Sequence, residues 1–200
     1  MAKIVVAALC GLVLLLTGCA QAPKSIPLNL SWPQRQQQLT GLTAWQFRGH
    51  VVFKMPERKF SANVYWQQAP ASYQVMLFGP LGFNAVNLSG NADQVSLKDS
   101  KGHVYTAESP EVLMQQQLGW SLPISSLNYW VRGLPAPGPI TNVVYDAFHR
   151  IEVLEQQGWS IHFIAYQRVQ QFELPKEIIF TQAKFYMRLT MEGDSWQAKR

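Results

Sequence analysis

The strictest pattern in this chain is a period of two. Phe60, Ala62, Val64 and Trp66 alternate with Ser61, Asn63, Tyr65 and Gln67, and further on Phe185, Met187, Leu189 and Met191 alternate with Lys184, Tyr186, Arg188 and Thr190. Successive side chains of a strand point to opposite faces, so these segments demand a sheet with one apolar and one wet face. Residues 45–54 carry a related pattern and join 60–67 across Pro56-Glu57-Arg58. Further runs at 72–78, 83–89, 93–98 and 103–107 are divided by turn-forming stretches such as Ser89-Gly90-Asn91 and Asp99-Ser100-Lys101-Gly102. Strands resume at 143–146, 149–155, 158–166 and 177–192. Short strands with tight turns favour an antiparallel sandwich or barrel over βαβ units, which need helical crossovers.

Three segments break the alternation. Ser31-Trp32-Pro33-Gln34 offers an N-cap and an early proline for a helix over 32–44. Ser109-Pro110-Glu111 supplies an N-cap, a first-turn proline and a first-turn acid for a helix to about Leu118, and Ile124–Arg132 is a second short helix ended by Gly133 and Pro135. A curved antiparallel sheet with one apolar face needs a cover, and these helices are what the chain can supply. The expected class is therefore mainly β with α, built as one domain over 31–200.

The N-terminus has a different character. Lys3 precedes an apolar run from Ile4 to Leu16 that stops at Leu16-Thr17-Gly18-Cys19, the layout of a secretory signal over residues 1–18. The run is too short for a bilayer core, which takes about 20 apolar residues of helix. Its ending resembles the bacterial lipobox, which makes Cys19 the expected lipidation site. Ala20 is not the aspartate associated with inner-membrane retention, which favours the outer membrane, facing the periplasm. Residues 19–30, with Pro23 and Pro27 among small and polar neighbours, read as a tether. Loss of residues 1–18 takes Cys10 and Lys3 with it, lowering the formal charge from +5 to +4. With Cys19 lipidated, no thiol remains for a disulfide, redox pair or thiolate metal site.

Most chemical functions find no support. The remaining positive charge forms no basic stripe, so nucleic acid is not an expected partner. Ser121 in Gly119-Trp120-Ser121-Leu122-Pro123 fails the nucleophile-elbow pattern because proline takes the fifth place. His50, His103, His149 and His162 lack metal-ligand spacing, and Asp93 and Asp99 read as turn acids. No catalytic residue, metal or cofactor is expected. Charged residues make up only 14% of the chain, so glutamines such as Gln36–Gln38 and Gln115–Gln117 carry much of the polar surface.

Apolar residues stand where a minimal core would not need them. Gly79-Pro80-Leu81-Gly82 fits a turn with proline second and glycine last, which puts Leu81 at a hairpin tip. Two readings stand: contact with a membrane or partner, or Leu81 folding back on Phe78 or Phe83. Trp66, Trp120, Trp130 and Trp159 either fill a core or line an apolar cavity.

The lipobox, Phe47-Arg48-Gly49, Tyr65-Trp66-Gln67-Gln68, Pro80-Leu81-Gly82, Asp99-Ser100-Lys101-Gly102-His103-Val104-Tyr105-Thr106-Ala107 and above all Leu122-Pro123-Ile124-Ser125-Ser126-Leu127-Asn128-Tyr129-Trp130-Val131-Arg132-Gly133-Leu134-Pro135 occur in one order. Together they resemble the LolB family of outer-membrane lipoprotein receptors. The resemblance runs from about Trp45 to Gly138 and more loosely to Trp196. It implies an incomplete antiparallel β-barrel enclosing an apolar cavity covered by short helices. It implies a function too: accepting triacylated lipoproteins from the periplasmic carrier LolA and placing them in the outer membrane, as a monomer that touches outer-membrane lipids. Leu81, with Pro80 and Gly82, then matches the membrane-insertion loop. Trp66 and Trp130 are candidates for the acyl cavity. The competing function is an envelope lipid-binding or scaffolding lipoprotein without transfer activity.

Overall fold

A computed structural model describes residues 27–79, 85–91 and 93–199. Helix α1 (Trp32–Thr40) leads into a meander of β1 (Ala44–Met55), β2 (Arg58–Ala69), β3 (Ser72–Phe78), β4 (Val86–Asn91), β5 (Val95–Lys98) and β6 (Val104–Ala107). Helices α2 (Pro110–Leu118) and α3 (Ile124–Trp130) follow. A second meander comprises β7 (Ile140–Tyr145), β8 (Ile151–Gln156), β9 (Trp159–Val169), β10 (Phe172–Gln182) and β11 (Phe185–Met191), with a short β12 (Gln197–Lys199).

All pairings are antiparallel, and β1 joins the two meanders by pairing with both β2 and β11. The order β6-β5-β4-β3-β2-β1-β11-β10-β9-β8-β7, with β12 added on β1, makes one 12-stranded sheet. Its outer strands are β6 and β7, which do not pair, so the curved sheet stays open as an incomplete barrel. The α2–α3 segment is the chain that runs from one of these edges to the other.

The period-two residues take the faces expected of them. On β1 Trp45, Phe47, Val51 and Phe53 are buried while Arg48, His50 and Lys54 are exposed. Gly49 falls on the buried face, where a Cβ would sit 2.5 Å from the Thr190 carbonyl oxygen, so glycine lets β11 approach β1. Just beyond β11 the chain turns back: the Glu192 N–H and the Ser195 hydroxyl both donate to the Arg48 carbonyl. Trp196 then lands on Trp45 and Phe47, at centroid distances of 5.3 and 4.9 Å.

Four details differ from the expected layout. The first helix stops at Thr40, with Gly41 at its C-cap, because Ala44 already belongs to β1. Ser89-Gly90-Asn91 lies inside β4 rather than in a turn, because Tyr73 pairs with Gly90 and its ring occupies the space of a Cβ there, 2.6 Å away. The run 177–192 is two strands, not one. Its chain reverses at Ala183-Lys184, with Ala183 at φ 48°, although that dipeptide has none of the usual turn residues. Last, α3 ends at Trp130 and not Arg132.

Candidate apolar site beneath the helical cover

The sheet's concave face over β11, β1, β2, β3, β4 and β5 is apolar because register brings every inward residue to one side. Phe47, Val51, Phe53, Val64, Trp66, Val75, Leu77, Val86, Leu88, Leu97, Met187 and Leu189 converge there. The cover contributes Met114 and Leu118 from α2, Leu122, Ile124 and Leu127 from the approach to and body of α3, and Val131 just after it. Between sheet and cover remains a cavity of about 50 Å³ with no polar side chain in its wall. Such a wall offers no hydrogen bond to a polar solute, so its only favourable guest is hydrocarbon.

Local chemistry fixes the cover. The Ser109 hydroxyl accepts the Val112 N–H at 3.2 Å, Pro110 fills the first turn, and Gly119 closes α2 in the left-handed region at φ 75°. Helix α3 is held from its other side. Trp130 Nε1 donates to Gln156 Oε1 at 3.0 Å, and Gln156 also pairs with both backbone groups of Ala136. Arg132, just past α3, donates to the carbonyls of Leu39 and Leu42 at 3.2 and 2.9 Å and to that of Asn128 at 2.9 Å. These contacts tie the cover to the end of α1, and burial lowers the pKa of this guanidinium.

A second polar cluster pins α1 from below. Buried Arg35 meets Glu173 at 2.7 Å and donates to the carbonyls of Leu28 and Phe148, while Arg150 bridges Glu173 and Asp146. Burial alone would raise the Asp146 pKa. Hydrogen bonds from the Arg150 backbone and guanidinium and from the Phe148 N–H outweigh that effect and hold it below the ordinary carboxylate range. Tyr73 is pushed up to about 12, first by burial and then by Glu111.

The expected site residues fall in different places. Trp66 is 3% exposed and lines the cavity. Trp130 does not: it packs on Trp159 and Phe180 behind α3, because its indole N–H must reach Gln156. That corrects the expectation of Trp130 as a cavity residue. Cys19, Pro80, Leu81 and Gly82 lie outside the described residues. His50 and His162 are exposed on the outer face, Asp99 is a turn acid that accepts from Lys101 and His103, and Asp93 is an exposed turn acid. Among the described residues no group of three His, Cys, Asp or Glu could hold a metal ion. Leu97, Met114 and Leu127 also line the cavity; alternation marks Leu97 as inward, but nothing local marks the two helical residues as cavity wall.

The family model described as outer membrane lipoprotein LolB matches residues 43–196. The outer-membrane lipoprotein LolB of Chromohalobacter salexigens is 38% identical over 189 residues, covering 93% of this chain and 87% of that protein. Its namesake in Pseudomonas aeruginosa strain LESB58 is 40% identical over 169 residues, covering 82% of each. Among solved structures, a LolA superfamily protein of Nitrosomonas europaea superposes with a TM-score of 0.51 at 7% identity, covering 83% of this chain and 94% of that one, a likeness of fold alone. With the match spanning β1 through Trp196, the sheet and the cover together, the chain belongs to the LolB family of outer membrane lipoproteins.

Proposed function

We propose that this protein is an outer-membrane receptor that accepts acylated lipoproteins from the periplasmic carrier LolA and releases them into the outer membrane. In this reading Cys19 carries the lipid anchor, the domain faces the periplasm, and the cavity takes the cargo's acyl chains. The observation that carries it is the wholly apolar cavity beneath α2 and α3. Each acyl methylene exposed to water costs about 0.8 kcal/mol, so a chain of about 16 carbons avoids a cost of roughly 12 kcal/mol by passing from one apolar site to another without crossing water.

At about 50 Å³ the cavity holds only a fraction of such a chain, since ligand pockets run to about 300 Å³ or more. Entry therefore requires α2 and α3 to move off the sheet. On the cavity side their contacts are side-chain packing alone, which the acyl chain itself replaces, while the Trp130–Gln156 bond holds α3 from behind. No nucleotide or catalytic group is needed if each acceptor binds the chains better than its donor. The Pro80-Leu81-Gly82 tip then serves release, dipping Leu81 into the acyl boundary.

The test mixes this protein with LolA loaded with a labelled lipoprotein, without nucleotide. Movement of cargo onto this protein is expected; cargo remaining on an active carrier refutes the receptor role. Leu81→Glu should accept cargo and fail to pass it to vesicles, and normal delivery by that variant removes the loop from the scheme.

A further inference from the structure

Charge is not uniform on the sheet's outer face. Around the β1–β2 and β10–β11 turns, Lys54, Arg58, Lys59 and Lys184 are all exposed, and Glu57 is the one carboxylate within residues 54–59 and 183–188. Arg188 beside them is held by Glu177 at 2.6 Å, whereas among the described residues none of those four cations has a carboxylate within 4 Å. Lys54 stands directly across from Lys59 on β2 and from Tyr186 on β11, with its ammonium 4.6 Å from the Tyr186 ring centre. Like charges facing each other across a strand pair cost stability, so folding alone gives no reason for the pair. The groove between them, about 500 Å³, sets His50, Lys54, Lys59 and Arg188 around Val52, Ser61 and Tyr186. At the other end of the same face the sign reverses, with Glu192 and Asp194 beside Arg48.

We propose that this basic end binds the phosphate headgroups of anionic phospholipids and seats the domain on the membrane with the β1–β2 turn down. Ammonium groups on aliphatic stems beside a tyrosine match a headgroup layer above acyl chains. The acidic far end is repelled by the same surface, so the face carries an orientation as well as an affinity. Strand β3 ends at Phe78, opposite Asn63 of β2, so its C-terminal end points toward the end of the sheet where the basic residues lie. The purpose of this contact rests on the receptor reading above; the contact itself needs no cargo.

The test uses the chain from residue 20 onward, without its lipid, since all the elements described lie within Trp32–Lys199. Flotation is measured with vesicles of phosphatidylethanolamine alone and of phosphatidylethanolamine with phosphatidylglycerol. Binding should require phosphatidylglycerol and weaken with salt. It should drop about a hundredfold in K54Q/K59Q/K184Q, at about fivefold per cation. R48Q/R168Q/K176Q, which changes net charge equally elsewhere, should lose far less. Equal loss in both triple variants, or binding indifferent to phosphatidylglycerol, overturns the proposal. So does unchanged flotation of K54Q/K59Q/K184Q with slowed uptake of cargo from the carrier, which would assign the patch to that protein instead. Uptake by the unmodified protein is scored alongside: its failure with flotation intact refutes the receptor role and leaves the lipid contact standing.

Discussion

Leu127→Ala separates a cavity that serves a guest from one that is a packing defect. Leu127 is 4% exposed on α3 and lines the cavity, whereas Leu154 on β8 is fully buried and does not. Truncating either removes three carbons from the core, a transfer loss of about 2 kcal/mol at roughly 0.8 per methylene. A further cavity penalty brings such losses to about 3 kcal/mol or more. Both variants should therefore unfold at lower urea, by about that amount in free energy and with unchanged slope. An acyl chain can refill the space at Leu127 and recover the cavity part, about 1 kcal/mol, but it cannot reach Leu154. Affinity for a fluorescent acyl probe should thus rise up to about fivefold in Leu127→Ala and stay level in Leu154→Ala. Equal affinity changes in the two variants, in either direction, would refute the reasoning, since only one of them borders the site.

Three further outcomes follow from the same geometry. Arg132→Met removes the donors to Leu39, Leu42 and Asn128, and although the Leu39 carbonyl keeps the Leu42 N–H, the loss of three charge-assisted bonds from a buried guanidinium should cost about 3 kcal/mol in urea unfolding; a loss under about 1 kcal/mol would show the tie is dispensable. Asp146 has a lowered folded pKa, so its contribution to stability is complete above the ordinary carboxylate pKa of about 4 and is lost as pH falls through the folded value; in an acid titration of stability, Asp146→Asn should flatten that part of the curve and leave the neutral-to-alkaline part parallel to the parent. Residues 19–27 reach at most about 30 Å when extended, while a twelve-residue strand such as β1 is about 40 Å long and, tilted by roughly 40° as barrel strands are, sets a sheet height of about 30 Å, with α1 at the end away from the β1–β2 turn; deleting residues 20–24 of the lipidated protein should stop delivery to vesicles while uptake from the carrier continues, and undiminished delivery would show that the domain does not stand on its turn end.

What the sequence discloses here follows the range of the interactions involved. The faces of β2 and β11 are legible because alternation is local, and α2 is legible because Ser109, Pro110 and Glu111 spell its start. The reversal at Ala183-Lys184 is not, because tertiary pairing of β10 with β11 holds Ala183 in a backbone region that its side chain does not favour. Gly90 looks like a turn residue until Tyr73 is seen to lie across it, and that crossing depends on the β3–β4 register. The cavity is less legible still. Its wall comes from six strands and the helical cover, and whether a tryptophan lines it depends on which way α3 turns: Trp66 faces in, while Trp130 is drawn away by Gln156. Arg35 sits in a glutamine-rich segment that reads as solvent-facing, yet its partner Glu173 buries it from 138 residues away.

The central claim is that acyl chains of a transferred lipoprotein occupy the space under α2 and α3. Its most direct test is a cargo lipoprotein bearing a photoreactive group at the end of an acyl chain, passed from the carrier to this protein and then illuminated. Crosslinks at cavity-wall residues such as Trp66, Leu97, Met114 and Leu127 are predicted, with none at Trp130 or Leu154. Crosslinks confined to the outer face of the sheet, or spread without preference for the wall, would contradict the account.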